Sequence, residues 1–254
     1  LDFSKLKTLL GFIELIHMIT RMVLISLSIL TADFTKLGDE IKEAAEAGAD
    51  WIHLDIMDGV FVPTITYGAR VIKGLRKITP KTFDTHLMVA DPETLIDEII
   101  DSGTDFITFH AEALDSPDRV EALIAKIKKA NVKVGLALIP SSSVDLIYPY
   151  LDKIDMVLIL SVRPGRSGQK FLPEVLTKIV YLRQLKDSKP EKYHYLIEVD
   201  GGINRSTVVD VKNAGADVVV AGSYVYLHSD YAFQIYKLRR APRPILLEEI
   251  ASDD

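Results

Sequence analysis

The sequence predicts an α/β fold, a closed (β/α)8 barrel of the TIM type, and three observations lead there. From residue 23 a short apolar run, a polar or glycine-bearing loop and an amphipathic helical stretch recur as eight units in succession. Several of the apolar runs end in a polar side chain able to do chemistry, and this fold places its sites at the carboxyl ends of its strands. No low-complexity linker or composition break divides the 254 residues, a length that suits one large α/β domain. An open doubly wound sheet is the competing architecture. It calls for a glycine-rich fingerprint after the first strand, and Ser28-Ile29-Leu30-Thr31 is not one.

Residues 1–21 read as an added amphipathic helix, with Leu6, Leu9, Leu10, Ile13 and Ile16 at helical spacing. Leu9 to Leu30 is apolar and about long enough to span a bilayer. Glu14, His17 and Arg21 lie within it, each unfavourable in lipid, so no membrane association is expected. The acidic residues also argue against a targeting presequence, and Met22 offers an alternative start. The barrel is expected over 22–240. Its strands are read as Val23–Ile29, Trp51–Asp55, Thr82–Leu87, Phe106–His110, Lys133–Leu138, Met156–Leu160, Tyr195–Val199 and Val218–Ala221. Helical patterns between them include Lys36–Glu46, Glu93–Asp101, Pro117–Lys129 and Pro173–Lys186. Three helix-to-strand junctions share a signature, Ala47-Gly48-Ala49-Asp50, Ser102-Gly103-Thr104-Asp105 and Ala214-Gly215-Ala216-Asp217, whose glycine suits a left-handed helix cap. Residues 241–254 form a tail with Pro242, Pro244 and an acidic end.

Composition narrows the function. Cysteine is absent, which excludes disulfides, thiolate ligands and a cysteine nucleophile together and agrees with a cytoplasmic setting. The formal charge of −6 argues against a general nucleic-acid binder. It also requires that an anionic substrate be held by local groups against the overall field.

The sharpest chemical motif is His53-Leu54-Asp55-Ile56-Met57-Asp58-Gly59. Residues i and i+2 of a strand share a face, so His53 and Asp55 can meet one ligand. Parallel neighbours lie about 4.8 Å apart, which lets His86 join them. Asp200 ends the seventh strand in the same way. A lone buried histidine is ordinarily a hydrogen-bonded core residue, but two histidines and two aspartates at equivalent strand positions favour one divalent metal ion. Zinc, iron(II), cobalt or manganese would suit that donor set. Metal plus carboxylates suggests proton abstraction beside a carbonyl. Glycines after the last three strands, in Ser161–Gln169, Asp200-Gly201-Gly202 and Ala221-Gly222-Ser223, allow backbone N–H groups to approach a phosphate. Met57 and Met88 read as packing, His110 as either a structural residue or a hydrogen-bonding support to the site, and Asp58 as a turn cap or a site residue. His17, His194 and His228 carry no convergent context.

Between about Val23 and Arg240 these motifs resemble the ribulose-phosphate 3-epimerase family. The resemblance is carried by Ser28-Ile29-Leu30-Thr31-Ala32-Asp33-Phe34, the His53–Gly59 segment, Phe61-Val62-Pro63 and Asp84-Thr85-His86-Leu87-Met88. The loop 161–171, Glu198–Gly202 and Val220–Ser223 complete it. It implies a ribulose-phosphate-binding barrel of the pentose phosphate pathway that interconverts D-ribulose 5-phosphate and D-xylulose 5-phosphate through an enediolate. By that resemblance the metal ligands are His53, Asp55, His86 and Asp200, with Asp55 and Asp200 as the catalytic acid/base pair on opposite faces of the substrate. Ser28 and His86 would contact the sugar; Gly165, Arg166, Ser167, Gly168, Gly201, Gly202, Gly222 and Ser223 would surround the phosphate. A homo-oligomer whose partner is a small sugar phosphate is expected. The chain departs from the family at Leu27 (usually proline), Leu160 (methionine) and Thr64 (asparagine). In the loop, Arg163-Pro164-Gly165-Arg166-Ser167-Gly168 replaces Asn-Pro-Gly-Phe-Gly-Gly. These departures remove no proposed ligand but bear on the lid and on substrate preference. Alternatives are the same chemistry on a six-carbon ketose phosphate such as allulose 6-phosphate, and a non-catalytic sugar-phosphate-binding barrel. The orotidine-phosphate decarboxylase group uses Asp-x-Lys-x-x-Asp, whereas strand two carries Asp55-Ile56-Met57-Asp58 with no lysine between.

Overall fold

A computed structural model describes residues 22–241. The helix expected within residues 1–21 and the tail beyond Ala241 lie outside the described residues. Eight parallel strands close into a barrel in sequence order. They are β1 (Leu24–Ser28), β2 (Trp51–Met57), β3 (Thr82–Met88), β4 (Phe106–His110), β5 (Lys133–Leu138), β6 (Met156–Leu160), β7 (Leu196–Asp200) and β8 (Val218–Ala221). The helices are α1 (Leu37–Glu46), α2 (Ala69–Leu75), α3 (Ile96–Asp101), α4 (Pro117–Lys129), α5 (Leu176–Ser188), α6 (Thr207–Ala214), α7 (Ser223–Tyr226) and α8 (Tyr231–Arg239). Between β5 and β6 the chain crosses instead on two short 3-10 turns, Val144–Leu146 and Tyr148–Tyr150. A run of serines and Pro149 there offers no helix-compatible stretch. No helix among the described residues is long and apolar enough to cross a membrane.

Several boundaries differ from expectation for local reasons. β1 stops at Ser28 because that side chain accepts the Leu30 N–H at 3.3 Å and turns the backbone into a 3-10 segment. The helices expected at Glu93 and Pro173 begin as proline-led 3-10 turns, and the α-helical bonding starts only at Ile96 and Leu176. β7 runs one residue later than expected and includes Asp200.

Outward-facing strand residues such as Ile25, Leu54, Phe83, Phe109 and Ile159 join the helices in the main core and are fully buried. Each such side chain contributes roughly 1.5–3 kcal/mol. Inward-facing residues form layers. Trp51, Phe106, Met156 and Val218 plug the amino end of the barrel, with the Trp51 and Phe106 rings 4.9 Å apart. Above this plug the interior turns polar on β1–β4 and β7, while Ala137, Leu158 and Leu160 keep the β5–β6 side apolar.

The shared junction signature has a second half. Its glycines sit at φ of 101°, 87° and 110° for Gly48, Gly103 and Gly215, the left-handed region where a side chain is strained. Its aspartates reach across to the preceding strand. Asp50, Asp105 and Asp217 accept the N–H groups of Ile25, Phe83 and Ile197 at 2.8, 2.7 and 3.0 Å, and Asp155 does the same for Val134 at 2.9 Å. Arginines 239, 76 and 183 clamp the first three at 2.7, 2.9 and 2.6 Å. The barrel's amino end is thus closed electrostatically as well as by apolar packing.

Candidate active site

Every second residue of a strand faces the interior, so several strands deliver a pair of residues toward the carboxyl end. The pairs are Ser26 and Ser28 on β1, His53 and Asp55 on β2, Asp84 and His86 on β3, Thr108 and His110 on β4, and Glu198 and Asp200 on β7. Register sets Asp55 beside His86 and Ser28 beside His53. One ligand-capable atom from each of His53, Asp55, His86 and Asp200 lies within 4.8 Å of the other three. Asp55 Oδ1 stands 3.2 Å from His53 Nε2 and 3.1 Å from His86 Nδ1. Asp200 Oδ2 is 3.9 and 4.0 Å from the same two nitrogens. Ser28 Oγ donates to Asp55 Oδ2 at 2.7 Å.

The residues fit a divalent cation. His53 Nδ1 donates to Asp84 Oδ2 at 2.6 Å, so in the neutral imidazole, the form that binds a metal, its Nε2 carries the lone pair. That nitrogen is buried and has no hydrogen-bond partner among the described residues, while a carboxylate oxygen faces it. A bound cation would resolve that contact, and two imidazoles with two carboxylates form a donor set of the type divalent transition metals accept.

Electrostatics separates the carboxyls. Burial disfavours ionised Asp55, but His53 and His86 outweigh it and hold the group well below the usual carboxylate range. Burial, followed by the charge of Asp55, pushes Asp200 up to about 7. Burial also acts against a charged His53, yet Asp55 and Asp84 raise it well above the ordinary histidine value. Beneath the site, burial and the charge of Asp84 push Glu198 well above its usual range, and Asp84 is lowered because His53 overcomes its own burial. Ser26 Oγ donates to Asp84 at 3.3 Å. This lower layer was not anticipated from the sequence. Asp84-x-His86 and Glu198-x-Asp200 carry the same two-residue spacing as His53-x-Asp55, and that spacing was the signal available.

Over this cluster lies a cavity of about 260 Å³ whose lining includes Ser28, Asp55 and Asp200. Gly165, Arg166, Ser167, Gly168, Gly201, Gly202, Gly222 and Ser223 also line it, whereas His53 and His86 do not and are fully buried. His86 meets Asp55, a lining residue, with its Nδ1 3.1 Å from Asp55 Oδ1. His228, for which no context was expected, sits at the rim. Met57 and Met88 pack with Val62 as expected. Asp58 is a turn cap: it accepts from the Val60, Phe61 and Ala90 N–H groups at 2.8, 2.9 and 2.8 Å. His110 supports the site, with its Nε2 2.9 Å from His86 Nε2 and its Nδ1 3.2 Å from Glu112 Oε2.

Residues 24–226 match the model of the ribulose-phosphate 3-epimerase family. The chain belongs to that family. A ribulose-phosphate 3-epimerase of Synechocystis sp. is 42% identical over 225 residues, covering 89% of this chain and 96% of the relative. One of Bacillus subtilis is 43% identical over 218 residues, covering 86% and 99%. A chloroplastic ribulose-5-phosphate-3-epimerase of Arabidopsis thaliana is 40% identical over 222 residues, covering 87% and 78%. As a member of the ribulose-phosphate 3-epimerase family the chain is an isomerase of the epimerase class. Among solved structures, 3-hexulose-6-phosphate synthase from Salmonella typhimurium aligns with a TM-score of 0.66 at 18% identity, covering 86% of this chain and 98% of that one. Orotidine 5'-phosphate decarboxylase from Pyrococcus horikoshii aligns at 0.58 and 18%, also covering 86% and 98%. At such identity these two share the fold alone.

The loop 161–171 after β6 is tied at several points. Thr64 Oγ1 donates to the Gly165 carbonyl at 2.7 Å, and Gln169 Nε2 donates to the carbonyls of Arg163 and Arg166 at 2.6 and 2.8 Å. At its far end Phe171 packs so closely that a Cβ on Gly202 would lie 2.6 Å from its backbone nitrogen. Arg163 and Arg166 are exposed, line the cavity, and make no ion pair among the described residues.

Proposed function

We propose that the protein interconverts D-ribulose 5-phosphate and D-xylulose 5-phosphate, with Asp55 and Asp200 exchanging protons at C3 from opposite faces. The observation that carries this reading is geometric: two carboxyls, Asp55 and Asp200, line one cavity and belong to the same four-residue cluster. Two carboxyls at one substrate cavity can serve as acid and base in turn. Asp55 takes the C3 proton while Asp200 delivers one to the other face, and the roles exchange in the reverse direction. A single base would tend to return the proton to the face it left; two invert the stereocentre. The bond from Ser28 Oγ supports a fixed orientation of Asp55. His53, Asp55, His86 and Asp200 would hold one divalent ion, which when bound supplies Lewis acidity for the charge developing on the ketone oxygen.

The phosphate end is assigned to backbone N–H groups at Gly201–Gly202 and Gly222–Ser223, with Arg163 and Arg166 supplying charge against the net negative field. A cytoplasmic site of action agrees with the cysteine-free composition. The second reading is the same chemistry on a six-carbon ketose phosphate.

The test uses chelator-stripped protein, then protein reloaded with zinc, iron(II), cobalt or manganese, assayed on both sugar phosphates. The proposal expects no turnover when stripped. It expects at least a tenfold preference in kcat/KM for ribulose 5-phosphate over allulose 6-phosphate when reloaded. Full activity in protein shown to be metal-free would remove the metal from the proposal. A preference for allulose 6-phosphate would establish the second reading, and binding of sugar phosphate without turnover would leave a binding barrel.

A further inference from the structure

We infer that Glu112 and His110 are positioning residues that decide which nitrogen of His86 faces the metal centre; this rests on the four-ligand proposal above. Glu112 lies in the short turn Ala111–Ala113 directly after β4. Its Oε1 accepts the Ile139 N–H at 2.9 Å, and its Oε2 lies 3.2 Å from His110 Nδ1. Burial opposes its ionisation, but the bonds to His110, Ser142 and Ile139 outweigh that and keep its carboxyl below the usual range. A carboxylate can only accept, so His110 Nδ1 must carry the proton.

A neutral His110 then has its lone pair on Nε2, 2.9 Å from His86 Nε2. Two lone pairs at that distance repel, so His86 must donate from Nε2. With a cation in the site His86 is neutral and its remaining lone pair is on Nδ1, the nitrogen 3.1 Å from Asp55 Oδ1 and 4.0 Å from Asp200 Oδ2. Each assignment fixes the next, from Glu112 through His110 to His86. Both histidines are fully buried, which removes water as a competing partner. Asp84 does the same for His53 in a single step through Nδ1. The two imidazoles consequently meet the centre through different atoms, Nε2 of His53 and Nδ1 of His86. The reverse arrangement would leave the His110 Nδ1 lone pair against the Glu112 carboxylate, or two N–H groups head to head between the histidines.

Glu112→Gln tests this directly. A glutamine oxygen can still serve the Ile139 N–H, but its NH2 then faces His110 Nδ1 and reverses every donor along the chain. In competition with a chromophoric chelator, zinc should bind the variant about 10- to 100-fold more weakly than wild type, the usual range for partners of ligating histidines. In the zinc-loaded wild type, long-range ¹H–¹⁵N spectra should show protons on His86 Nε2 and His110 Nδ1. Those spectra decide the matter if the variant fails to fold. Equal zinc affinity in a folded Glu112→Gln protein, or a wild-type proton on His110 Nε2, would overturn the relay while leaving the metal centre intact. Wild-type protein that takes up no zinc would sink the metal centre, and the relay with it.

Discussion

Asp50, Asp105, Asp155 and Asp217 lie at the amino end of the barrel, and each holds a strand N–H within 3.0 Å. Asp55 and Asp200 lie at the carboxyl end, where Asp55 takes one serine hydroxyl and faces two imidazoles at 3.1 and 3.2 Å, and Asp200 meets the same imidazoles only at 3.9 and 4.0 Å. The same side chain closes one end and is left available at the other. What differs is the surroundings. At the amino end, strand N–H groups and arginines satisfy the carboxylate, and satisfied groups stabilise. At the carboxyl end the two carboxyls bond no backbone N–H among the described residues and line the cavity beside two imidazoles, which leaves them open to a ligand or substrate.

This contrast can be broken from either end. The largest effect is expected at the carboxyl end: Asp200→Asn or Asp55→Asn should lower kcat/KM by about 10³-fold or more, since a positioned acid or base contributes roughly 10²–10⁴-fold. Thermal unfolding should stay close to wild type, because neither carboxylate supports a backbone bond. A variant that keeps activity would reassign its residue from catalysis to structure. At the amino end the signs exchange. Arg183 donates to the Gly215 carbonyl and to Asp217, and both ionic side chains are only 11% exposed. Arg183→Ala should therefore cost about 2–3 kcal/mol in urea unfolding, as Asp217 loses its nearer cation and keeps Lys186 at 3.6 Å, with kcat/KM within about twofold of wild type. Loss of activity in a folded Arg183→Ala protein would show that the two ends are coupled.

The smallest effect is expected at the lid. Arg166→Ala should raise KM by about 3- to 10-fold with kcat unchanged, the size of one exposed charge-assisted contact. An unchanged KM would assign the guanidinium to solvent.

Much of the barrel could be read locally, because strand alternation and the glycine-aspartate junctions repeat within a few residues. His53, Asp55, His86 and Asp200 were legible for the same reason. Asp84 and Glu198 share their spacing, but they matter only through cross-strand register, which brings Asp84 to His53. Glu112 was less legible still: its role depends on the Ile139 N–H, 27 residues away, and on His110, which reads equally as a structural residue or a support to the site. Helix starts expected at Glu93 and Pro173 were misplaced because periodicity does not distinguish a 3-10 turn from the first turn of an α-helix. The lid arginines follow no period, and their orientation is set by loop ties such as Thr64 to Gly165.

The most direct measurement follows C3 by proton NMR while metal-loaded protein turns over ribulose 5-phosphate in D₂O. Two-base epimerisation predicts deuterium at C3 together with xylulose 5-phosphate, and loss of both in Asp200→Asn. Absence of exchange at C3 in protein shown to contain its metal would contradict the proposed chemistry at Asp55 and Asp200.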